Sequence, residues 1–247
     1  IGTLEFVDGG PTDAAIATVY ENFDRMRGLQ VFLDNIGAVS MHSVRRGLDG
    51  AGAGGANRIA LFADLMNSET LVVTANTSTL YAYTFTDLAQ DGPTVIEVPP
   101  GMLGFLNDAW QRFVGDMGVT GPDAGVGGQY LVVPPGYTGD IPDGYFVLRP
   151  STNRNFMFLR GSIANGLAPA VENITSNLRV YPLSEAADPE TTEFVNVSNN
   201  AFNTVFPSDF SYFDILDEII QEEPIEAISP DMRGAIAAIG IVKGKTF

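Results

Sequence analysis

The sequence predicts an α+β fold, an antiparallel β sandwich or barrel flanked by N- and C-terminal helices. Three observations carry this. Apolar residues recur at helical spacing near both ends, short apolar segments broken by turn residues fill the middle, and no run of consecutive βαβ units is visible. The expected organisation is a helical segment over 1–57, a β-rich core over 58–163 and a helical segment over 164–247, together one structural domain.

At the N-terminal end Thr12 reads as an N-cap with Asp13 in the first turn, and Ile16, Val19, Tyr20, Phe23 and Met26 follow at helical spacing. Gly28 is expected to end or bend this helix. A second helix runs through Phe32, Leu33, Ile36, Val39 and Val44 to about Gly47, and the glycine-rich stretch 50–55 reads as a flexible connector.

From Arg58 the period changes. Segments 58–64, 70–76, 81–86, 94–98, 129–133, 145–149 and 155–160 are short and rich in Val, Leu, Phe and Tyr, as strands are. Two of them end in Pro-Pro-Gly, at 99–101 and 134–136, and proline cannot donate to a ladder, so both strands must stop there. Segment 102–118 fits either a helix or two strands joined about Asn107-Asp108. Helices return near 167–178 and at 208–221, the latter with Ser208 as expected cap. A last helix has Ser229 as N-cap, Pro230 at its first position and Gly240 closing it. Ile236, Ile239 and Ile241 of this terminal stretch need something to bury against.

Charge narrows the function. The chain of 247 residues carries 13 basic and 30 acidic groups, a net −17. Residues 181–230 hold eleven acids and no Lys or Arg. Nucleic-acid binding by phosphate neutralisation needs the opposite sign and is excluded. The apolar runs fall far short of the ~18 residues of a membrane-spanning helix. With no Cys and a single His, thiolate chemistry, cysteine-bearing zinc sites and multi-histidine metal cages are excluded as well.

The segment Thr74-Ala75-Asn76-Thr77-Ser78-Thr79-Leu80-Tyr81 carries a family signature. So do Gly92-Pro93-Thr94-Val95-Ile96-Glu97-Val98-Pro99-Pro100-Gly101, Gly127-Gly128-Gln129-Tyr130-Leu131-Val132-Val133-Pro134-Pro135-Gly136-Tyr137 and Ile239-Gly240-Ile241-Val242-Lys243-Gly244-Lys245-Thr246-Phe247. With these four motifs in order the chain resembles the bacterial domain-of-unknown-function family 1254, the N-terminal half of tandem 1254/1214 proteins. The resemblance implies a β-rich fold with helices, a periplasmic or secreted protein, and a second, β-rich domain following the Gly-Lys-Thr-Phe segment. It implies no settled reaction. Members usually carry an acid two residues after the motif asparagine, where this chain has Ser78.

The candidate ligand-binding residues are Asn76, Thr79, Tyr81, Glu97 and Arg160. Asn76, Thr79 and Tyr81 gather an amide, a hydroxyl and a phenol in one extended segment, able to fix a polar ligand or simply to hold a strand end. Glu97 would become an acid or base if it faced inward, with Asp116 or Asp87 as a carboxylate partner for glycoside hydrolysis. Arg149 and Arg160 close two strands expected to be neighbours, where they would pair with carboxylates or take an anion. Trp110, Tyr130, Tyr137 and Tyr145 could line a pocket or pack the core. Asp123, Asp140 and Asp143 lack the spacing of a calcium loop, so no metal is expected, and no cofactor loop is present. His42 lies on a helix without a nucleophile motif and is expected to be a surface or half-buried residue outside any reaction. The reading is a structural or interaction module that docks with a second β-rich domain or with copies of itself. The alternative is an exported protein that binds or hydrolyses a polar small molecule or carbohydrate.

Overall fold

The computed structural model describes residues 1–55, 57–72, 75–201 and 203–247. A small hairpin of β1 (Phe6–Val7) and β2 (Gly10–Pro11) precedes α1 (Asp13–Asp34) and α2 (Ile36–Gly50). The β block follows: β3 (Arg58–Leu61), β4 (Thr79–Asp87), the short α3 (Leu88–Asp91), β5 (Thr94–Val98), β6 (Met102–Asp108), β7 (Phe113–Gly118), β8 (Gly128–Val132), β9 (Phe146–Leu148) and β10 (Arg154–Ser162). Then come α4 (Leu167–Asn177), β11 (Arg179–Pro182), β12 (Glu193–Asn196), α5 (Ser211–Glu222) and α6 (Pro230–Ala238).

Two sheets form the core, in the orders β12-β3-β4-β10-β6-β7 and β11-β5-β8-β9. They do not close into a barrel. Most pairs are antiparallel, but β12 runs parallel to β3 and β9 parallel to β8, so both sheets are mixed. Alternate residues of the large sheet (Leu80, Ala82, Met102, Leu106, Met157, Leu159) meet Ile96, Val98, Tyr130, Val132 and Val180 of the small one in one buried cluster, the arrangement of a sandwich. Ile174 of α4 closes its edge.

The other face of the large sheet is aromatic. Register sets Phe156 opposite Phe85, Phe158 opposite Tyr83 and Arg160 opposite Tyr81. Met41 and Leu48 of α2 join Tyr81, Tyr83 and Phe156 in a second buried cluster. A third joins α1, α2, α5 and α6 through Val31, Val39, Leu216, Ile219, Ile236 and Ile241. The last two residues are therefore covered by the chain itself, and Ile239 packs beside them.

Several boundaries differ from expectation for local reasons. α1 passes through Gly28 and ends at Asp34; a helix tolerates an interior glycine at about 1 kcal/mol. The break falls at Asn35, whose Nδ2 donates to the Val31 carbonyl at 2.8 Å. Segment 102–118 is the two-strand alternative, joined through residues 109–112. Ser208 caps nothing: α5 begins three residues later, where Asp209 accepts from the Ser211 amide at 3.0 Å. Segment 70–76 forms no ladder among the described residues, only a bridge from Leu71 to Asn203, and Val73 and Thr74 lie outside those residues. Thr12 and Ser229 cap as expected, accepting from Ala15 and Met232 amides at 3.2 Å each. Both Pro-Pro-Gly segments end their strands, with Gly101 and Gly136 at φ +73° and +72°.

Candidate functional site

The polar groups of the molecule converge where α2 and α5 meet the ends of β4 and β10. Arg45 and Arg46 stand one helical step apart on α2, and Glu218 and Glu222 one turn apart on α5, so packing the two helices sets two ion pairs in register. Arg45 Nη2 lies 2.8 and 3.0 Å from the Glu222 oxygens, and Arg46 Nη2 lies 2.6 and 2.7 Å from those of Glu218. From the sheet side Arg154 Nη1 pairs with Asp87 at 2.6 Å, and its Nε lies 4.0 Å from Glu222.

His42 belongs to this cluster, which corrects its expected surface or half-buried place. It is buried, with Nε2 3.1 Å from Glu218 and Nδ1 3.1 Å from Arg45 Nη2. Burial, with the Arg45 charge next, lowers its pKa to about 4, so the ring is neutral at pH 7. As a neutral ring beside a guanidinium it accepts at Nδ1 and donates from Nε2 to Glu218. No hydroxyl is hydrogen-bonded to it among the described residues. Burial pushes the Glu222 carboxyl up, and the Arg45 hydrogen bonds and charge outweigh it, leaving the group below its usual value. Glu223 points the other way, into the protein. It is buried and accepts from the amides of Asn153 at 2.6 Å and Arg154 at 2.9 Å, yet burial dominates and raises its pKa to about 7.

Beside this cluster lies a cavity of about 310 Å³, lined by Arg45, Asp49, Asp87, Asp91, Arg154 and Glu222 with the Phe85 ring. Asp49 and Asp91 are both raised by burial; Asp91 is raised further by the Asp87 charge, while Arg45 acts against the rise at Asp49. Among the described residues no metal-binding group of three His, Asp or Glu is present.

The candidates taken from sequence separate. Asn76 Oδ1 accepts from the Ser78 and Thr79 amides and from both their hydroxyls at 3.0–3.1 Å, a turn that starts β4. The Asn76 amide donates to the Tyr81 hydroxyl at 3.1 Å. Tyr81 is buried, and Asn76 and Thr79 are half-buried. Arg160 lies over the Phe158 and Tyr81 rings, 4.9 and 5.8 Å from their centroids, and its buried Nε has no hydrogen-bond partner among the described residues. These four residues therefore share one corner of the large sheet. Glu97 does not join them. It stands on β5 of the small sheet, accepting from Tyr181 at 2.7 Å and Gln129 at 3.0 Å, whereas Asp87 and Asp116 stand on the large sheet. Arg149 and Arg160 are not neighbours either, because β9 and β10 belong to different sheets.

The aromatic candidates also part. Trp110 is buried in the β6–β7 turn, Tyr130 is in the core, and Tyr137 and Tyr145 pack on the outer face of the small sheet. Asp123 is a buried loop clamp that accepts from the Gly118 and Gly127 amides and the Tyr130 hydroxyl.

One surface runs counter to burial. Along α1 the side chains of Ile16, Tyr20, Phe23, Met26, Leu29 and Leu33 succeed one another at three- and four-residue steps, and each is at least 40% exposed. The first three of them, Ile16, Tyr20 and Phe23, border an apolar groove of about 440 Å³ together with Phe6 and Pro11 of the hairpin. The helical spacing was visible in the sequence. That this face lacks cover could be known only once α6 was seen to pack on the C-terminal end of α1.

The fold and these sites define a helix-flanked β-sandwich module. The chain belongs to the family described as protein of unknown function (DUF1254), whose model matches residues 56–182. The crystal structure of the VPA0106 protein from Vibrio parahaemolyticus is similar in fold, with a TM-score of 0.57 at 16% identity over 88% of this chain and 53% of that one. A putative uncharacterized protein from Burkholderia cenocepacia matches with a TM-score of 0.32 at 10% identity, over 72% of this chain and 52% of that one. The chain thus spans about half the length of these solved chains. No curated protein matches it. No helix among the described residues is long and apolar enough to cross a membrane.

Proposed function

We propose that this chain is an interaction module whose α1 face docks against an adjoining domain of a longer protein. The observation that carries the reading is the stripe from Ile16 to Leu33. Soluble monomers rarely leave so continuous an apolar patch in water, and each such side chain gains roughly 1.5–3 kcal/mol when fully buried. The occupant is argued from length: the Vibrio chain that shares this fold carries nearly as much chain again beside it. A second, β-rich domain of the kind the resemblance implies, in an exported protein, is the partner this reading names.

The test is hydrogen exchange on the 247-residue chain alone and on the protein that contains the adjoining domain. Amides of the first four turns of α1 are expected to exchange at least tenfold more slowly in the longer protein. Equal exchange in the two, or protection in the short chain that grows with concentration as copies pair, would overturn the proposal.

A further inference from the structure

We propose that the cavity between α2, β4, β10 and α5 binds a small molecule carrying both an ammonium and a carboxylate, of the α-amino-acid class. This site is separate from the docking face and stands without it. Its volume of about 310 Å³ is at the lower end of small-molecule pockets, which run from about 300 to 1,000 Å³.

The argument rests on which groups are already engaged. Asp87 and Glu222 are held by Arg154 and Arg45. The carboxylates of Asp49 and Asp91, from α2 and α3, have no hydrogen bond or ion pair among the described residues, although both line the cavity. The two guanidiniums are only partly used. Arg45 bonds through Nη2 alone and Arg154 pairs through Nη1, with Nε at the 4.0 Å limit, so N–H donors remain on each. A simple anion would meet four carboxylates here, and a simple cation would meet two guanidiniums. A ligand with both signs satisfies the two idle carboxylates through its ammonium and the idle guanidinium donors through its carboxylate. Phe85 supplies an apolar wall for the remainder.

Calorimetric titration at pH 7 with L-alanine, L-alaninamide, N-acetyl-L-alanine, methylamine and glycerol tests the proposal. Saturable binding of L-alanine is expected, with affinity at least tenfold lower for each singly charged analogue and none for glycerol. Asp91→Asn, which removes no structural bond, should weaken L-alanine about tenfold while leaving the thermal midpoint unchanged. L-alanine failing to saturate, alaninamide or acetylalanine matching it, glycerol binding equally well, or Asp91→Asn leaving affinity intact would each overturn the proposal.

Discussion

The ammonium of Lys243 donates to the main-chain oxygen of Glu223 at 2.7 Å. It also reaches the oxygens of Gln221 at 2.7 Å and Ile220 at 3.1 Å, so one side chain caps the C-terminal end of α5. The Gly244 amide adds a bond to Gln221 Oε1 at 2.6 Å. These contacts explain the Lys243-Gly244 element of the closing motif: it staples the chain back onto α5, where a positive charge meets the negative end of the helix dipole.

Lys243→Met keeps the stem and removes the charge. It should destabilise the fold by about 1.5–3 kcal/mol, the range for hydrogen bonds to a charged group. Urea denaturation at pH 7 would show the midpoint fall without a change in slope; an unchanged midpoint would refute the staple.

Trp110 and Asn35 make a second tie, between the β6–β7 turn and the α1–α2 junction. The indole Nε1 donates to Asn35 Oδ1 at 3.1 Å, and both residues are buried. Trp110→Phe leaves that oxygen without a partner and should cost about 1–3 kcal/mol before any packing loss. Calorimetric unfolding reads this directly, and an unshifted transition would contradict it.

Two buried groups give the pH profile opposite slopes. Glu223 has its folded pKa raised from 4.5 to about 7, so the folded state holds the extra proton, and this contribution is present below 4.5 and lost as pH rises to 7. His42 is lowered from 6.5 to about 4, so its contribution is present above 6.5 and lost as pH falls to 4. Between about 4.5 and 6.5 the two offset each other. Relative to Glu223→Gln, the wild type should lose stability as pH rises from 4.5 to 7, by up to about 3 kcal/mol. Denaturation at half-unit pH intervals would reveal a constant difference if Glu223 were not shifted.

Glycines separate by what surrounds them. A Cβ at Gly104 would sit 2.1 Å from the Phe158 oxygen, whereas one at Gly28 would meet nothing within 4 Å. Gly104→Ala should therefore cost about 1–3 kcal/mol or more through forced displacement, and Gly28→Ala should stabilise α1 by about 0.5–1 kcal/mol. Thermal midpoints moving in the same direction for both would contradict this account.

Much of the fold could be read from local chemistry. Thr12, Ser229 and the two Pro-Pro-Gly stops act through residues next to them. The ionic site could not be read this way. Arg45 and Glu222 are far apart in sequence, and no spacing says that α2 and α5 pack together. His42 looked idle because its partner Glu218 becomes visible only through that packing. The same holds for Ile236 and Ile241, whose cover is one cluster with residues of α1, α2 and α5. The uncovered face proved to be that of α1 instead.

Hydroxyl-radical footprinting of the protein that contains the adjoining domain tests the docking face most directly, because it reads side chains and not amides. Tyr20 is 65% exposed, Met26 58% and Phe23 48% in the chain alone, and Phe113 on β7 at 66% serves as an internal reference. The account predicts that the three α1 residues are oxidised several-fold more slowly in the longer protein while Phe113 reacts at the same rate in both. Oxidation of Tyr20, Phe23 and Met26 at unchanged rates would contradict it.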